Sequence, residues 1–464
     1  MKSECLYTGH RFKEFLIKTE KNHMVPGHIP FSPRKVPFYY GWVILFAGAM
    51  GVLFSIPGQT MGVSVYTDHL IDNLHLSRIE ISTAYMVGTL VSSLVMTRAG
   101  IFYDRFGARI AAAGSALGLG LCLMMLSRSV PITSAVSALL GFSSRKIAFV
   151  FMIIGFFGIR FFGQGVLTLV SRGMVMRWFE AHRGFAAAIM GIFTSFGFSF
   201  APRVLQGLID LSSWDRSWMI MGVVMIILIV PFIFTVFRDS PEECGIEMEE
   251  GLKIKTGSKR KELAPQRSYT LQEARRDPKL WCFILILFFW SMYNTGFTFH
   301  ITSIFESQGK TTAQAVAIFL PLSFISLAFR FLGSWLSDII DLKYHFYLAI
   351  FSMMTGAYAL TLPYTAGAAA LLIGGFGISG GLFGVFSSVT WPKLYGREHL
   401  GAISGMAMSF MVAGSALGPW GFSMLEKVWG NYRHSGWLGV YAAGFIGLVS
   451  FPFMMKKQKD SSFS

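Results

Sequence analysis

Two related stretches of sequence decide the organisation of this chain. The first is Gly100-Ile-Phe-Tyr-Asp104-Arg105-Phe-Gly107-Ala-Arg109, and the second is Gly333-Ser-Trp-Leu-Ser-Asp338-Ile-Ile-Asp341-Leu-Lys343. Each follows the second long apolar run of its half of the chain. A glycine-to-proline interval repeats as well. Gly184 and Pro202 are 18 residues apart, and so are Gly401 and Pro419. The repeat predicts a duplicated six-helix unit.

The composition is that of a chain with many membrane helices. Of its 464 residues, 53% are hydrophobic and only 14% are charged, whereas soluble domains are about a quarter charged. The 49 glycines and 45 phenylalanines suit helices that pack closely in lipid. This argues against a soluble enzyme, and the net charge of +15 is interpreted as a topology signal rather than a nucleic-acid surface.

Apolar runs of about 20 residues, long enough to cross a hydrocarbon core of about 30 Å, predict twelve membrane helices. They are placed at 39–66, 79–99, 108–127, 147–175, 184–208, 216–237, 280–305, 313–337, 344–363, 367–391, 401–424 and 436–455. We therefore expect an all-α polytopic membrane protein. Its predicted parts are an N-terminal tail (1–37), an N-terminal six-helix bundle (38–237), a central loop (238–279), a C-terminal six-helix bundle (280–455) and a C-terminal tail (456–464).

The basic residues predict the orientation. The tails and the loops after even-numbered helices hold 28 Lys and Arg, and the loops after odd-numbered helices hold 8. By the positive-inside rule, both termini and the central loop are expected on the cytoplasmic side of the inner or plasma membrane. The tail at 1–37 lacks a signal-peptide core, so the first apolar run is expected to be retained. Met24 is an alternative start.

The stretch from Gly100 to Arg109 resembles the cytoplasmic motif of the major facilitator superfamily, and the twelve predicted helices extend this resemblance over the chain after residue 37. It implies the major facilitator fold and secondary transport by alternating access. Three further segments are similar to the monocarboxylate transporter branch, which includes oxalate/formate-type exchangers. They are Tyr40-Gly41-Trp42-Val43 with Gln59-Thr60-Met61-Gly62-Val63, Phe179-x-x-x-Arg183-x-x-Ala186 ending at Gly197, and Ser240-Pro241-Glu242-Glu243-Cys244-Gly245.

The resemblance implies that the motif is a conformational latch. A carboxylate and arginines at helix ends form charge-assisted hydrogen bonds with the facing bundle in one state and lose them in the other. The implied latch residues are Gly100, Asp104, Arg105, Gly107, Arg109 and, in the second copy, Asp338. Ser334 and Ile339 replace the Gly and Arg of the motif, so the second copy is expected to latch more weakly.

Arg330 is the first candidate for substrate binding. In the family that the chain resembles, an arginine eight residues before the motif carboxylate contacts a substrate carboxylate, and Arg330 has that spacing to Asp338. A guanidinium offers a bidentate fork to a planar anion and keeps its charge. The alternative is that Arg330, about 12 Å from Asp338 along a helix, braces the gate.

A second candidate is Arg160, which is predicted close to mid-membrane on the fourth helix. Gln164 lies one turn further along and could share a ligand or orient Arg160. The alternative is an arginine satisfied by carbonyl groups. Arg172 and Arg203 lie near predicted helix ends and are interpreted as structural, because long basic side chains reach the interface there.

Two residues are candidates for proton coupling. His300 is a candidate because histidine changes charge near neutral pH, and Glu306 follows it towards the outer mouth; a packing role for His300 is the alternative. Asn294 and His300 on the seventh helix, and Gln59 on the first, complete the predicted substrate-binding set. Gln59 and Ser326 stand where the monocarboxylate branch carries Lys and Asp, so proton symport and anion exchange both stay open.

The expected partners are a small organic anion, protons in the case of symport, and the lipid bilayer, with the chain acting as a monomer. No cofactor and no nucleic acid are expected, and the spacing of Cys5, Cys122, Cys244 and Cys282 suits neither a metal site nor a disulfide. The central loop is interpreted as a solvated linker. The alternatives are an exporter of amphipathic compounds and a non-transporting receptor on the same fold.

Overall fold

The computed structural model describes residues 26–180, 182–247 and 268–455. Within these ranges the apolar runs are helical and no strand occurs. The alternative start at Met24, Cys5, the middle of the central loop and the C-terminal tail lie outside the described residues.

The helices follow the predicted order. The first set comprises α1 Gly41–Phe54, α2 Thr60–Ser64, α3 Thr67–Leu74, α4 Arg78–Ser127, α5 Ser129–Leu140, α6 Ser144–Ile159, α7 Thr168–Trp178, α8 Arg183–Leu211, α9 Trp214–Val224 and α10 Val230–Val236. The second comprises α11 Leu271–Arg276, α12 Pro278–Phe299, α13 Ile301–Glu306, α14 Thr312–Ala317, α15 Phe319–Ser337, α16 Leu342–Ala359, α17 Ala366–Ser388, α18 Thr390–Tyr395, α19 Leu400–Trp429 and α20 Arg433–Met455. In the described residues nine helical runs are long and apolar enough to cross a membrane.

The first predicted span is broken in its second half. Helix α1 ends at Phe54, a 3-10 turn covers Ile56–Gly58, and Gln59 is extended at φ −83° and ψ 157°. Pro57 explains the break, because proline lacks the N–H that a continuing helix needs. The break leaves the carbonyl of Gly58 free for a side chain, and a side chain of the fourth span uses it.

The second and third spans form one helical run, α4, which turns at Gly107. Gly107 has φ +80° and ψ 170°, a backbone conformation that favours glycine. The fourth span is also irregular, since α6 continues through a π-helical stretch, Arg160–Leu167, into α7. Such i→i+5 stretches are rare and occur mainly at functional positions.

The two bundles meet along two pairs of helices, α4 with α19 and α8 with α15. Glycine permits both approaches at one end. A Cβ at Gly100 would overlap the carbonyl of Gly401, and a Cβ at Gly184 would overlap the carbonyl of Ser334. We call this end, which includes Asp104, the latch end.

The start of the central loop is packed rather than solvated, which corrects the linker interpretation for residues 238–247. Arg238 is only 1% exposed and donates to the carbonyls of Gly27 at 2.7 Å and Phe31 at 3.2 Å. Burial also raises the pKa of the Cys244 thiol to about 11. The N-terminal segment and the loop therefore form one cap on the N-terminal bundle.

Candidate functional site

A cavity lies between the bundles near the latch end. Helix α7 lines it with Thr168, Arg172 and Met176, and the opposite wall includes Ser387, Ser388 and Ser404. The empty space between the cavity walls, open solvent at the mouth included, is about 420 Å³. Its polar groups are one arginine and several hydroxyls, which can bind a small polar solute.

Arg330 of α15 lies beside the wall of this cavity. Its guanidinium lies against Gly384 of α17, and a Cβ added to Gly384 would overlap the Nε of Arg330. On the other side, a Cβ added to Gly191 of α8 would lie only 2.8 Å from the Cδ of Arg330. Gly384 is one turn from Ser387 and Ser388 of the cavity wall. Glycines from both bundles thus leave room for the Arg330 side chain.

Arg172 is a site residue that the sequence interpretation missed. Helix α7 continues to Trp178, so Arg172 lies about 9 Å inside the helix end instead of at the membrane interface. It lines the cavity from the N-terminal bundle, and Arg330 approaches the opposite wall beside Gly384. Neither guanidinium forms a hydrogen bond or an ion pair with another described residue.

Arg160 lies apart from this pair. It is 1% exposed, and its Nη1 donates to the Gly58 carbonyl at 3.2 Å and the Thr60 hydroxyl at 3.3 Å. Its Nε and Nη2 and the Oε1 of Gln164 have no hydrogen-bond partner among the described residues. Arg160 is therefore only partly satisfied by carbonyl groups.

Gln59 is held within the N-terminal bundle. Its Nε2 donates to the hydroxyls of Ser55 at 2.9 Å and Thr168 at 3.2 Å, and the residue is 8% exposed. Thr168 also lines the cavity. Gln59 thus connects the break in the first span to the cavity wall.

His300 lies near the end opposite the latch end, between α12 and α13. Its Nε2 donates to the Pro419 carbonyl at 3.0 Å, and its Nδ1 lies 3.4 Å from the Tyr432 hydroxyl. Along α19, Pro419 is about 28 Å from Leu400 at the latch end, so His300 and Arg330 are at different heights. Asn294 is partly buried on α12, and Glu306 is exposed at the end of α13.

The latch end has a reciprocal arrangement of carboxylates and helix N-termini. The N–H groups of Gly401 and Ala402 donate to Asp104 at 2.8 and 2.6 Å. The N–H of Gly184 donates to Asp338 at 3.0 Å. Each carboxylate thus binds the first turn of a helix in the other bundle, where the helix dipole favours an anion.

Arg177 at the end of α7, rather than Arg105 or Arg109, contacts the latch carboxylate. It pairs with Asp104 at 2.5 Å and Asp239 at 2.6 Å. Arg105 is exposed, and the turn at Gly107 directs Arg109 back to the Ile29 carbonyl at 2.9 Å and to Phe237. Neither arginine forms a hydrogen bond or an ion pair with a described residue of the other bundle, and their part in the latch stays a prediction.

Comparison with known proteins agrees with this architecture. A family model for the Major Facilitator Superfamily matches residues 46–419. The structure of the proton:xylose symporter XylE bound to 6-bromo-6-deoxy-D-glucose has a TM-score of 0.59 and 16% identity, covering 89% of this chain and 96% of that one. The E. coli fucose:proton symporter FucP has a TM-score of 0.55 and 13% identity, covering 90% and 98%.

FucP in the outward conformation has a TM-score of 0.57 at 16% identity and covers 90% of this chain and 100% of that one. No curated protein sequence matches the chain. The predicted all-α membrane fold of two six-helix bundles is confirmed by the family match and the shared fold. The chain belongs to the Major Facilitator Superfamily and is a multi-pass membrane protein with the fold of secondary transporters.

Proposed function

We propose that the protein carries a small organic anion, a mono- or dicarboxylate, by alternating access, as a proton symporter or an anion exchanger. The observation that carries the proposal is a pair of arginines, one from each bundle: Arg172 lines the cavity, and Arg330 lies against Gly384, one turn from the cavity wall. Neither has a counter-charge among the described residues.

The electrostatics of this pair favour an anion. Two like charges in a poorly solvated space are costly, and an anion between them offsets both the repulsion and the lost hydration. Carboxylates also match the planar guanidinium fork. A cationic solute would add to the repulsion, and a neutral sugar would leave both charges uncompensated.

The resemblance to the monocarboxylate branch supports the same class of substrate. Its signature residues have structural contacts here, since Trp42 packs on Phe179 with ring centroids 5.8 Å apart. Arg183 donates to the Pro392 carbonyl of the other bundle at 3.0 Å. In this proposal the latch end is cytoplasmic, as the basic loops predict, and the closed latch corresponds to a carrier that faces outward.

Transport in proteoliposomes tests the proposal directly. We expect protein-dependent flux of at least one of acetate, oxalate and succinate, and none of xylose. Xylose flux without carboxylate flux would overturn the proposal, and flux of amphipathic compounds alone would favour the exporter. If the protein binds a carboxylate but produces no flux, the result would favour a non-transporting receptor.

Arg172→Gln is expected to weaken succinate binding about tenfold more than acetate binding, because only a dicarboxylate can engage both guanidinium groups at once. Equilibrium binding to purified protein in nanodiscs measures the difference. Arg203→Gln is the matched control, since Arg203 is exposed on α8. An equal loss for both ligands would show that Arg172 does not hold a second carboxylate.

His300→Gln is expected to flatten the pH dependence of net uptake and to spare substrate-for-substrate exchange, which needs no net proton movement. Glutamine can still donate to the Pro419 carbonyl, so the contact with α19 is kept while the imidazole is lost. Uptake assays at several external pH values measure the effect, with the exposed His434→Gln as control. A wild-type pH profile in the variant would assign His300 to packing.

A further inference from the structure

Arg160 has a free binding edge in a buried position. Its Nη1 is engaged by Gly58 and Thr60, whereas Nε and Nη2 are buried without a partner among the described residues. These two nitrogens lie side by side on one edge of the guanidinium plane, and such an edge binds both oxygens of a carboxylate. A buried charged donor without a partner is costly, so the edge is suited to a ligand.

Gln164 supplies a buried acceptor on the same stretch of helix, four residues after Arg160. Its Oε1 is also buried without a hydrogen-bond partner among the described residues. Both residues belong to the π-helical stretch Arg160–Leu167, in which successive turns hold more than 3.6 residues. Residues four apart therefore stay on one face, which continues to Thr168 and Arg172 at the cavity.

The π-helical stretch is needed for this alignment. In a regular helix at 100° per residue, Arg172 would be turned about 120° away from Arg160. The wider turns bring the two arginines back towards one face of the fourth span, at most about 18 Å apart along its axis. Arg160 therefore stands further along the face that lines the cavity.

The Tyr85 ring lies against Arg160. The guanidinium carbon lies 5.1 Å from the centroid of the Tyr85 ring, and the Tyr85 hydroxyl donates to the exposed Thr60 hydroxyl at 2.9 Å. Tyr85 thus links Arg160 to an exposed residue, and the Tyr85 side chain can move without a change in the backbone.

We propose that Arg160 and Gln164 form a separate carboxylate station, closed by Tyr85, before the substrate reaches Arg172 and Arg330. The fork of Arg160 takes the carboxylate, and Gln164 accepts a hydrogen bond from a donor on the same ligand. The preferred ligands are small carboxylates that carry a hydroxyl group. The inference rests on the proposed anion transport for its ligand class only.

Binding to the full-length chain in nanodiscs tests the station, with radiolabelled glycolate and acetate as probes. We expect wild-type protein to bind two glycolate molecules per chain, and Arg160→Lys to bind one, because lysine has no bidentate edge. In an Arg172→Gln/Arg330→Gln protein, one glycolate remains bound, and adding Arg160→Lys weakens it at least about tenfold. Arg203→Lys is the matched control.

Specificity and access provide independent readouts. Glycolate differs from acetate by one hydroxyl, so we expect glycolate to be preferred and Gln164→Leu to remove the preference. Tyr85→Phe keeps the ring over Arg160 but loses the hydrogen bond to Thr60, so glycolate should bind and dissociate faster.

Two outcomes would overturn the station and show that only water satisfies the edge. One is that Arg160→Lys still binds two glycolate molecules per chain. The other is that a folded Arg172→Gln/Arg330→Gln protein binds no glycolate. Glycolate bound through Arg160 without carboxylate flux would refute the proposed transport and leave the station in place.

Discussion

Arg330→Lys is expected to lower substrate affinity at least about 30-fold, although it keeps the charge, because truncating a desolvated, hydrogen-bonded charge pair costs about 2 kcal/mol or more. Lysine is a point charge and cannot present two parallel N–H groups to a carboxylate. Arg330→Ala should abolish flux while the protein still reaches the membrane. Equilibrium binding and proteoliposome flux, with thermal unfolding as the folding check, measure both effects.

A second variant displaces Arg330 without changing any charge. A Cβ at Gly384 would overlap Nε of Arg330, whereas a Cβ at Gly374 on the same helix meets nothing within 4 Å. Gly384→Ala should therefore weaken binding and Gly374→Ala should not. Near-normal binding by a folded Arg330→Ala protein would contradict the assignment of Arg330 to the substrate.

Asp104→Asn is expected to shift the resting population towards the state that is open at the latch end. The carboxylate accepts two backbone N–H groups and pairs with Arg177, and hydrogen bonds to a charged group are each worth about 1.5–3 kcal/mol. Losing the charge should change the closed-to-open ratio about 10- to 100-fold. Accessibility of single cysteines from the two sides of the membrane measures the shift.

The corresponding position of the other bundle supplies the control. Asp338→Asn acts on the second latch, which the sequence predicts to be weaker, so its shift should be smaller than that of Asp104→Asn. Substrate affinity of the substrate-accessible state should change in neither variant, since both carboxylates contact helix N-termini instead of the cavity. Unchanged accessibility with full transport in Asp104→Asn would show that the motif merely caps a loop.

The sequence predicted the fold well because the fold depends on features that are local or repeated. Apolar runs of membrane length are read directly from composition, and the 18-residue interval that begins at Gly184 and recurs at Gly401 marks equivalent helices. The structure shows the role of the two glycines. Each lies in the first turn of a helix, and its N–H donates to a carboxylate of the opposite bundle.

The candidate site was only partly predictable, because it depends on where helices deviate from regular geometry. Arg172 was interpreted as an interfacial residue, since hydropathy ended the fourth span three residues before Trp178. The π-helical stretch and the break at Pro57 have no periodic signal, yet they set which side chains share a face. Arg177 was missed because its partners, Asp104 and Asp239, are 73 and 62 residues away in sequence.

The capping of each bundle by the other has a consequence for sequence change. Asp104 and Asp338 bind main-chain N–H groups, and every amino acid except proline supplies one. A substitution in the first turn of α8 or α19 can therefore remove these hydrogen bonds in only two ways. A larger side chain at Gly184 or Gly401 can push the bundles apart, or proline can remove the N–H donor. Side chains around the substrate can vary without disturbing the closure of the carrier, so substrate specificity can change while the latch is kept.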